Sequence, residues 1–454
     1  MAVDRSRLPE VGPDPSFAFP AIVHHALDNG LRVRAVEHRS VPVVTFVLQV
    51  AGGSGADVPG SEGLAALVAD MVDEGTGLLS AIEVSDALAR IGAEYDVDVG
   101  ADATTFTLTT LTRFADRGAD LLASLVTAPS LREADFDRVR QLRLDRLRQL
   151  KDVAPAVAER VFLQLLYGSH PYGHLAIGSE DALRRAQLAD VSGMHRLRYQ
   201  PGAATLVVCG SMPSAELIEI ARRAFGSWRP GEAVAAPVVT TAFPEAVPRL
   251  AIVPREGAAQ SELRIGHLSA SRDTPDYPTL LVMNAVLGGQ FVSRVNLKLR
   301  EEKGYTYGAR TGFDWHKGMS PFALQASVHT AATADAIRDS LGELEAIRGS
   351  RPPTGDELAL AKASLTRGYP RNFETAQQVG RAVAQLALYG LPDTYFAEFI
   401  PKANAVTAEQ VASAASRYLD PSRLTTLIVG DHATIGDSLA SLELGPPEVL
   451  PIPV

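Results

Sequence analysis

Two histidines four residues apart, His170 and His174, have the spacing that first suggests metal chemistry in this sequence. Imidazoles at positions i and i+4 converge on one metal ion when both lie on the same face of a helix. Pro171 and Gly173 stand between these two, and both residue types interrupt helices. We therefore interpret the pair as part of a loop and not as a metal site.

The other reactive groups form no constellation of their own. His24 and His25 are adjacent, so their side chains point in different directions. Cys209 is the single cysteine, which excludes an intramolecular disulfide, and its apolar surroundings predict a buried strand thiol and not a nucleophile. The segment around Gly288 and Gly289 has neither the lysine nor the preceding strand that a phosphate-binding loop requires. We therefore expect a tight turn between helices.

Composition limits the classes of partner. The chain has 454 residues, of which 46% are hydrophobic and 21% charged, and a formal net charge of -10. An acidic chain without a long Lys/Arg run is not expected to bind nucleic acid or an anionic membrane as its main partner. No apolar run is long enough to span a membrane. The first twenty residues contain no apolar signal segment, which predicts a cytoplasmic protein, or a periplasmic one if a signal peptide has been removed.

The pattern of apolar residues in the first half of the chain predicts strands followed by long helices. The predicted strands are 31–37, 43–50, 94–99, 104–111 and 205–209. The predicted helices are 63–74, 81–91, 116–127, 133–150, 157–167 and 190–199.

The sequence motif that ends the first half of the chain is repeated near the end of the second half. The run Leu-Val-Val-Cys-Gly at 206–210 corresponds to Leu-Ile-Val-Gly at 427–430, an offset of about 220 residues. A repeat of this size predicts an α+β fold of two homologous domains, each a mostly antiparallel sheet packed with helices. The predicted domains are 19–228 and 249–454, joined by a linker at 229–248 that is rich in Pro, Ala, Val and Thr.

Three motifs, in this order along the chain, resemble peptidase family M16, the pitrilysin or insulinase type. They are Leu-Asp-Asn-Gly-Leu-Arg-Val at 27–33, Ser-His-Pro-Tyr-Gly at 169–173 and Leu-Arg-Glu-Glu-Lys-Gly-Tyr-Thr-Tyr at 299–307. The resemblance covers residues 19–431, and the chain length is similar to that of the short subfamily, whose two-domain chains pair into a clam-shell.

Residues 63–76 resemble the zinc-binding helix of that family with its ligands removed. The family's His-x-x-Glu-His positions fall on Ala66, Ala69 and Asp70. Two methyl groups and one carboxylate cannot bind zinc, whose site here needs two imidazoles on one helical face with a carboxylate between them. The resemblance therefore implies that this chain binds no metal and that zinc belongs to a partner subunit.

The family's third ligand, a Glu about 75 residues further on, falls near residues 144–147. Asp145 is the only acid there, in a strongly basic helix. Asp70 and Asp145 facing each other would hold at most a hard ion weakly. We favour the alternative, in which Asp145 pairs with Arg146 or Arg148 on its own helix.

Arg300 and Tyr307 match the Arg and Tyr that reach from the C-terminal half of active M16 enzymes toward the zinc. Water attack on a peptide carbonyl develops an oxyanion, which a phenol and a guanidinium can stabilise. The resemblance implies that these two are the catalytic residues of this chain. By themselves, Arg300 at the end of a helix predicted at 292–302 and Tyr307 on a strand would be ordinary surface and packing residues.

The resemblance leads to the hypothesis that this chain is the non-zinc subunit of a heterodimeric M16 metallopeptidase. The partner would carry an intact His-x-x-Glu-His and the zinc. The substrate would be an unfolded peptide bound by strand addition. The alternative is a catalytically silent scaffold, or a subunit that binds peptides during their maturation. A catalytically silent homodimer is also compatible with the sequence.

Overall fold

The computed structural model describes residues 17–231 and 249–452. In the first half, strands β1 to β8 are Ile22–Ala26, Arg32–Glu37, Val43–Ala51, Gly75–Thr76, Leu79–Ser80, Glu94–Val99, Ala103–Leu111 and Ala204–Gly210. Helices α1 to α8 are Leu64–Met71, Ala81–Arg90, Ala115–Thr127, Glu133–Lys151, Ala154–Tyr167, Glu180–Arg185, Leu188–Arg198 and Ser214–Phe225.

The second half contains six further strands and eight further helices within the described residues. Strands β9 to β14 are Leu250–Pro254, Gln260–Leu268, Thr306–Phe313, Pro321–His329, Thr425–Gly430 and Glu448–Val449. Helices α9 to α16 are Tyr277–Leu287, Arg294–Asn296, Thr333–Ala346, Gly355–Thr366, Ala376–Tyr389, Tyr395–Ala405, Ala408–Tyr418 and His432–Leu439.

Five strands of each six-stranded sheet follow the same order, whereas the sixth differs, since β1 is antiparallel to β2 and β14 is parallel to β9. The first sheet runs β6-β7-β3-β8-β2-β1 and the second β11-β12-β10-β13-β9-β14. In each, the middle strands pair antiparallel, while β8 runs parallel to β2 and β13 parallel to β9. The predicted α+β fold with two homologous, mostly antiparallel sheets is therefore confirmed. The predicted domain boundaries stay a prediction, because residues 232–248 of the linker and 453–454 lie outside the described residues.

The two halves exchange a helix. Helix α5 of the first half packs on the second sheet, where Val161 and Phe162 lie in one apolar cluster with Val253 and Val429. Helix α13 of the second half packs on the first sheet, where Val379 and Val383 meet Val47 and Val207. Gly380 allows this approach, since a β-carbon there would lie 3.1 Å from Val47 Cγ2. Each sheet thus depends on a helix from the other half for the cover of one face.

Cys209 lies fully buried in β8 beneath α13, which confirms the predicted strand thiol. Burial raises the pKa of its thiol to about 12, because an apolar surrounding disfavours the thiolate. Within residues 17–231 and 249–452, no helix is both long and apolar enough to cross a membrane.

Three helix predictions were wrong in extent. The helix predicted at 157–167 begins three residues earlier, at Ala154. The helix predicted at 63–74 ends at Met71, because the next turn leads to Gly75 at φ 145° and to Thr76, whose hydroxyl donates to the carbonyl oxygens of Ser124 and Ala128. The helix predicted at 292–302 is instead the short α10 followed by a π-helical turn, Leu297–Glu302. That wider turn carries Arg300, and π-helical turns are frequent at functional sites.

Candidate functional site

Helix α1 carries the three positions that correspond to the His-x-x-Glu-His residues of the family. Ala66 and Ala69 are buried, at 4% and 0% exposure, whereas the Asp70 side chain is 43% exposed. The buried carboxylate of Asp57 caps the N-terminus of this helix. It accepts hydrogen bonds from the Gly63 and Ala65 amides at 2.8 and 2.7 Å. The helix is therefore firmly placed, and its methyl groups pack into the neighbouring structure.

Asp70 is held by Arg143 from helix α4. Arg143 Nη1 lies 2.5 Å from Asp70 Oδ2, and Nη2 donates to the carbonyl oxygen of Ala176 at 2.7 Å. The Arg143 side chain is only 11% exposed. Asp145 points elsewhere and pairs with Arg148 at 2.6 Å, which confirms the favoured interpretation of that residue. Asp70 thus faces a guanidinium and not a second carboxylate.

Arg143 was missed from the sequence, although a signal for its position exists. Phe136, Val139 and Leu147 are buried positions of α4, and Arg143 lies at helical spacing from all three. An arginine on that face must find an acid or a carbonyl oxygen, because a buried guanidinium without partners is costly. The spacing gives the inward direction of Arg143 but not the identity of its partner.

These residues do not fit a zinc ion. Zinc requires several nitrogen, sulfur or oxygen ligands around one point; here two alanines face inward and the single carboxylate is bound to a cation. Among the described residues, no group of three or more His, Cys, Asp or Glu side chains could hold a metal ion. We therefore derive no catalytic step through a metal bound by this chain.

A buried polar cluster lies between α1 and the first sheet. The hydroxyl group of Tyr95 is buried without a hydrogen-bond partner among the described residues, and the buried hydroxyl group of Tyr199 lies beside Thr104. Asp73 lies near Tyr95, and burial together with the charge of Glu74 raises the pKa of its carboxyl to about 6.

The His-Pro-Tyr-Gly-His stretch is a structural loop, as predicted. His170 accepts the Tyr172 amide at Nδ1, and burial lowers the pKa of its imidazole. Tyr172 donates to Asp102, which also accepts the Lys317 amide of the second half at 2.8 Å. His174 Nε2 lies 3.0 Å from the Asp57 carboxylate that begins α1. The motif therefore joins the two halves and supports α1.

Arg300 and Tyr307 lie on the second sheet's side of the molecule. Tyr307 is on the edge strand β11 and is 88% exposed. The Arg300 guanidinium lies over the ring of Phe291, 4.4 Å from its centroid, and its side chain is 33% exposed. The Tyr305 amide donates to the Leu299 carbonyl oxygen at 2.9 Å. This bond fixes the reversal of the chain between the two candidate residues.

Asn296 ties the neighbouring segments together. It is buried, donates to the Phe291 carbonyl oxygen at 2.7 Å and accepts the Ala309 amide at 3.0 Å. A bulge between Thr306 and Ala309 interrupts the pairing of β11 with β12, and Tyr307 stands within it. Such bulges commonly redirect a side chain. Within the described chain, no hydrogen bond, ion pair or ring contact links Tyr307 or Arg300 to the α1 site.

Comparison with known proteins agrees with this architecture. Residues 32–176 match the model of "Insulinase (Peptidase family M16)" and residues 185–365 that of "Peptidase M16 inactive domain". An uncharacterized zinc protease of Mycobacterium tuberculosis is 24% identical over 90% of this chain and 93% of its own. The non-peptidase homolog YmxG of Helicobacter pylori is 21% identical over 87% of this chain and 90% of its own.

A solved structure, a peptidase M16 inactive domain from Pseudomonas fluorescens, superimposes with a TM-score of 0.83 at 24% identity, over 90% of this chain and 98% of that one. The fold is that of a short M16 chain. The protein belongs to peptidase family M16.

Proposed function

We propose that this chain is the non-zinc subunit of a heterodimeric M16 metallopeptidase. It would enclose unfolded peptides together with a partner that carries an intact His-x-x-Glu-His and zinc. It would supply Arg300 and Tyr307 to the reaction at the partner's metal. Family membership, together with names of relatives that include both zinc proteases and a non-peptidase homolog, supports a role in this class.

The exposure of Tyr307 carries the most weight. Tyr307 is 88% exposed and lies in a bulge of β11, whose outer edge is unpaired among the described residues. It therefore packs against little of the described chain. Phe291, Val292 and Leu297 beside it are also exposed, at 61%, 42% and 42%. An apolar patch of this kind marks a surface that another molecule covers. Arg300, held over Phe291, lies in the same patch.

The chemistry expected of the pair follows from its groups. The Tyr307 hydroxyl can donate a hydrogen bond to the oxygen of a peptide carbonyl as negative charge develops there. The Arg300 guanidinium offers several donors in a fixed plane, which suits a carbonyl or carboxylate of the substrate backbone. The edge of β11 next to Tyr307 is free to pair with an extended peptide.

The decisive experiment is co-expression with a zinc-type M16 chain from the same genome, preferably one encoded next to this one. We expect a stable 1:1 complex with an interface well above roughly 1,200 Å², and peptide hydrolysis by the complex but by neither chain alone. Phe291→Asp should weaken the complex, whereas Leu78→Asp, which replaces a residue 97% exposed on the other half, should not.

Two results would speak against the proposal. Separation of the two chains on size exclusion at micromolar concentration would exclude a stable pair. A stable complex whose activity does not depend on Arg300 or Tyr307 would identify this chain as a scaffold, which is the alternative function.

A further inference from the structure

Among the positions on α1 that correspond to the family's zinc ligands, Asp70 contacts a cation of the same chain, the Arg143 guanidinium. Arg143 reaches Asp70 at 2.5 Å and the Ala176 carbonyl oxygen at 2.7 Å. Asp70 stands where the family's second histidine would be, and α4 is the helix to which the family's third ligand corresponds. The guanidinium therefore occupies the neighbourhood in which a metal ion would have to bind.

We propose that Arg143 replaces the metal as the cation of this domain, so that the degenerate site is closed and excludes metal ions. The Asp70–Arg143 ion pair joins α1 to α4, and the second bond of Arg143 joins α4 to the loop that contains Ala176. A bound zinc ion would join helices in the same way in a ligand-bearing domain. Loss of zinc in this domain is thus compensated structurally, independently of any partner subunit.

The burial of the pair is asymmetric. The Arg143 side chain is 11% exposed and its Nε atom is buried without a partner among the described residues, whereas Asp70 is 43% exposed. If Asp70 is removed, the guanidinium stays buried without its acid. If Arg143 is removed, Asp70 can still be hydrated. Loss of the acid should therefore destabilise the fold more than loss of the base.

A second consequence concerns metal binding. Restoring the ligands by Ala66→His, Ala69→Glu and Asp70→His would leave a positive charge within the new site. The guanidinium, whose side chain is only 11% exposed, would repel the zinc ion because both are positively charged. The additional change Arg143→Glu removes the guanidinium and also supplies a further oxygen ligand. Closure by Arg143 therefore predicts that the three-residue variant binds zinc poorly.

The test compares these two variants by zinc titration and by thermal unfolding with and without zinc. We expect the four-residue variant to bind zinc at least on the order of 100-fold more tightly than the three-residue variant, comparable to the largest loss of affinity seen when partners of metal ligands are removed. The matched control adds Arg146→Glu instead, since Arg146 is exposed on the same helix and, within residues 17–231 and 249–452, bonds only Gln149. This control should leave zinc affinity unchanged.

A second measurement covers the case in which these variants do not fold. In a double-mutant cycle of Asp70→Ala and Arg143→Met, we expect Asp70→Ala to lower the denaturation midpoint more than Arg143→Met. The double variant should recover most of that loss. Equal zinc affinity of the three- and four-residue variants, or strictly additive losses in the cycle, would overturn the proposal. Neither result bears on the activity proposed for the complex.

Discussion

Gly63 and Gly178 face each other so closely that neither position can accept a side chain. A β-carbon on Gly63 would lie 2.6 Å from the Cα atom of Gly178, and one on Gly178 would lie 2.3 Å from the Glu62 carbonyl oxygen. Both glycines also have positive φ, at 96° and 87°. The start of α1 and the loop that contains Ala176 are therefore in backbone contact. This contact fixes the position of the Ala176 carbonyl oxygen, which accepts a hydrogen bond from Arg143.

Gly178→Ala should destabilise the protein by about 3 kcal/mol, the sum of the cost of positive φ and that of overpacking against backbone atoms. Gly60→Ala is the matched control, since Gly60 has the same φ of 87° and open space around it. It should cost about 1 kcal/mol. Urea denaturation of both variants measures the difference. Equal losses would mean that the contact relaxes without cost.

Asp73→Asn should stabilise the protein at pH 7.5 and have little effect at pH 4. The folded pKa of about 6 lies above the ordinary 3.8, so the folded state binds the proton more tightly. Wild-type stability therefore falls as the pH rises from 4 through 6, by up to about 3 kcal/mol. Asparagine carries no charge and avoids that loss.

The measurement for Asp73 is the free energy of unfolding in urea at both pH values. Asp86→Asn is the control, because Asp86 is an exposed acid on α2. Its substitution should change the free energy of unfolding only slightly. A gain for Asp73→Asn that is equal at both pH values would contradict the burial of a charged carboxylate as its cause.

Tyr307→Phe should leave folding and assembly intact, because it removes one hydroxyl from an exposed side chain. In the complex with a zinc-type chain, kcat should fall on the order of 100- to 1,000-fold with a smaller change in KM, as expected for a donor that acts mainly in the transition state. Steady-state kinetics on one peptide give both constants. Tyr305→Phe is the control, on the same turn but packed against the second core. A loss within about threefold would mean that Tyr307 does not contact the oxyanion.

Arg300→Ala should impair both kcat and KM, since contacts between a guanidinium and a peptide backbone act before the chemistry as well as during it. Lys298→Ala is a suitable control on the same π-helical turn, because Lys298 is paired with Glu302 at 2.7 Å. It should leave both constants near those of the wild type. If the Arg300→Ala complex has an unchanged KM, Arg300 contacts the substrate only in the transition state.

The sequence predicted local structure well where one physical pattern dominates. The strand at 94–99 was placed correctly because Glu94, Asp96 and Asp98 alternate with apolar residues across a single edge strand. The two sheets were predicted from the half-chain repeat, which a chain of this length can hardly carry by chance. That this chain binds no zinc stays a prediction, which rests on the residue types that metal coordination requires.

Contacts between distant elements could not be predicted in the same way. The pairing of Asp70 with Arg143 depends on how α1 and α4 are rotated against each other, which only tertiary packing determines. The apolar faces of α5 and α13 indicate burial but not which sheet they cover. The π-helical turn before Tyr307 follows from the bonds of Asn296 and Tyr305, which no periodicity reveals.

The helix exchange has a consequence for biosynthesis. The strands of the first sheet are complete at Gly210, but α13, which covers Val47 and Val207, begins only at Ala376. At ordinary elongation rates, the ribosome needs on the order of 10 s to make the intervening chain. During that time the nascent first half exposes an apolar sheet face. The emerging polypeptide must therefore stay shielded from aggregation until its last third has been translated, and the two repeats reach their final structure together.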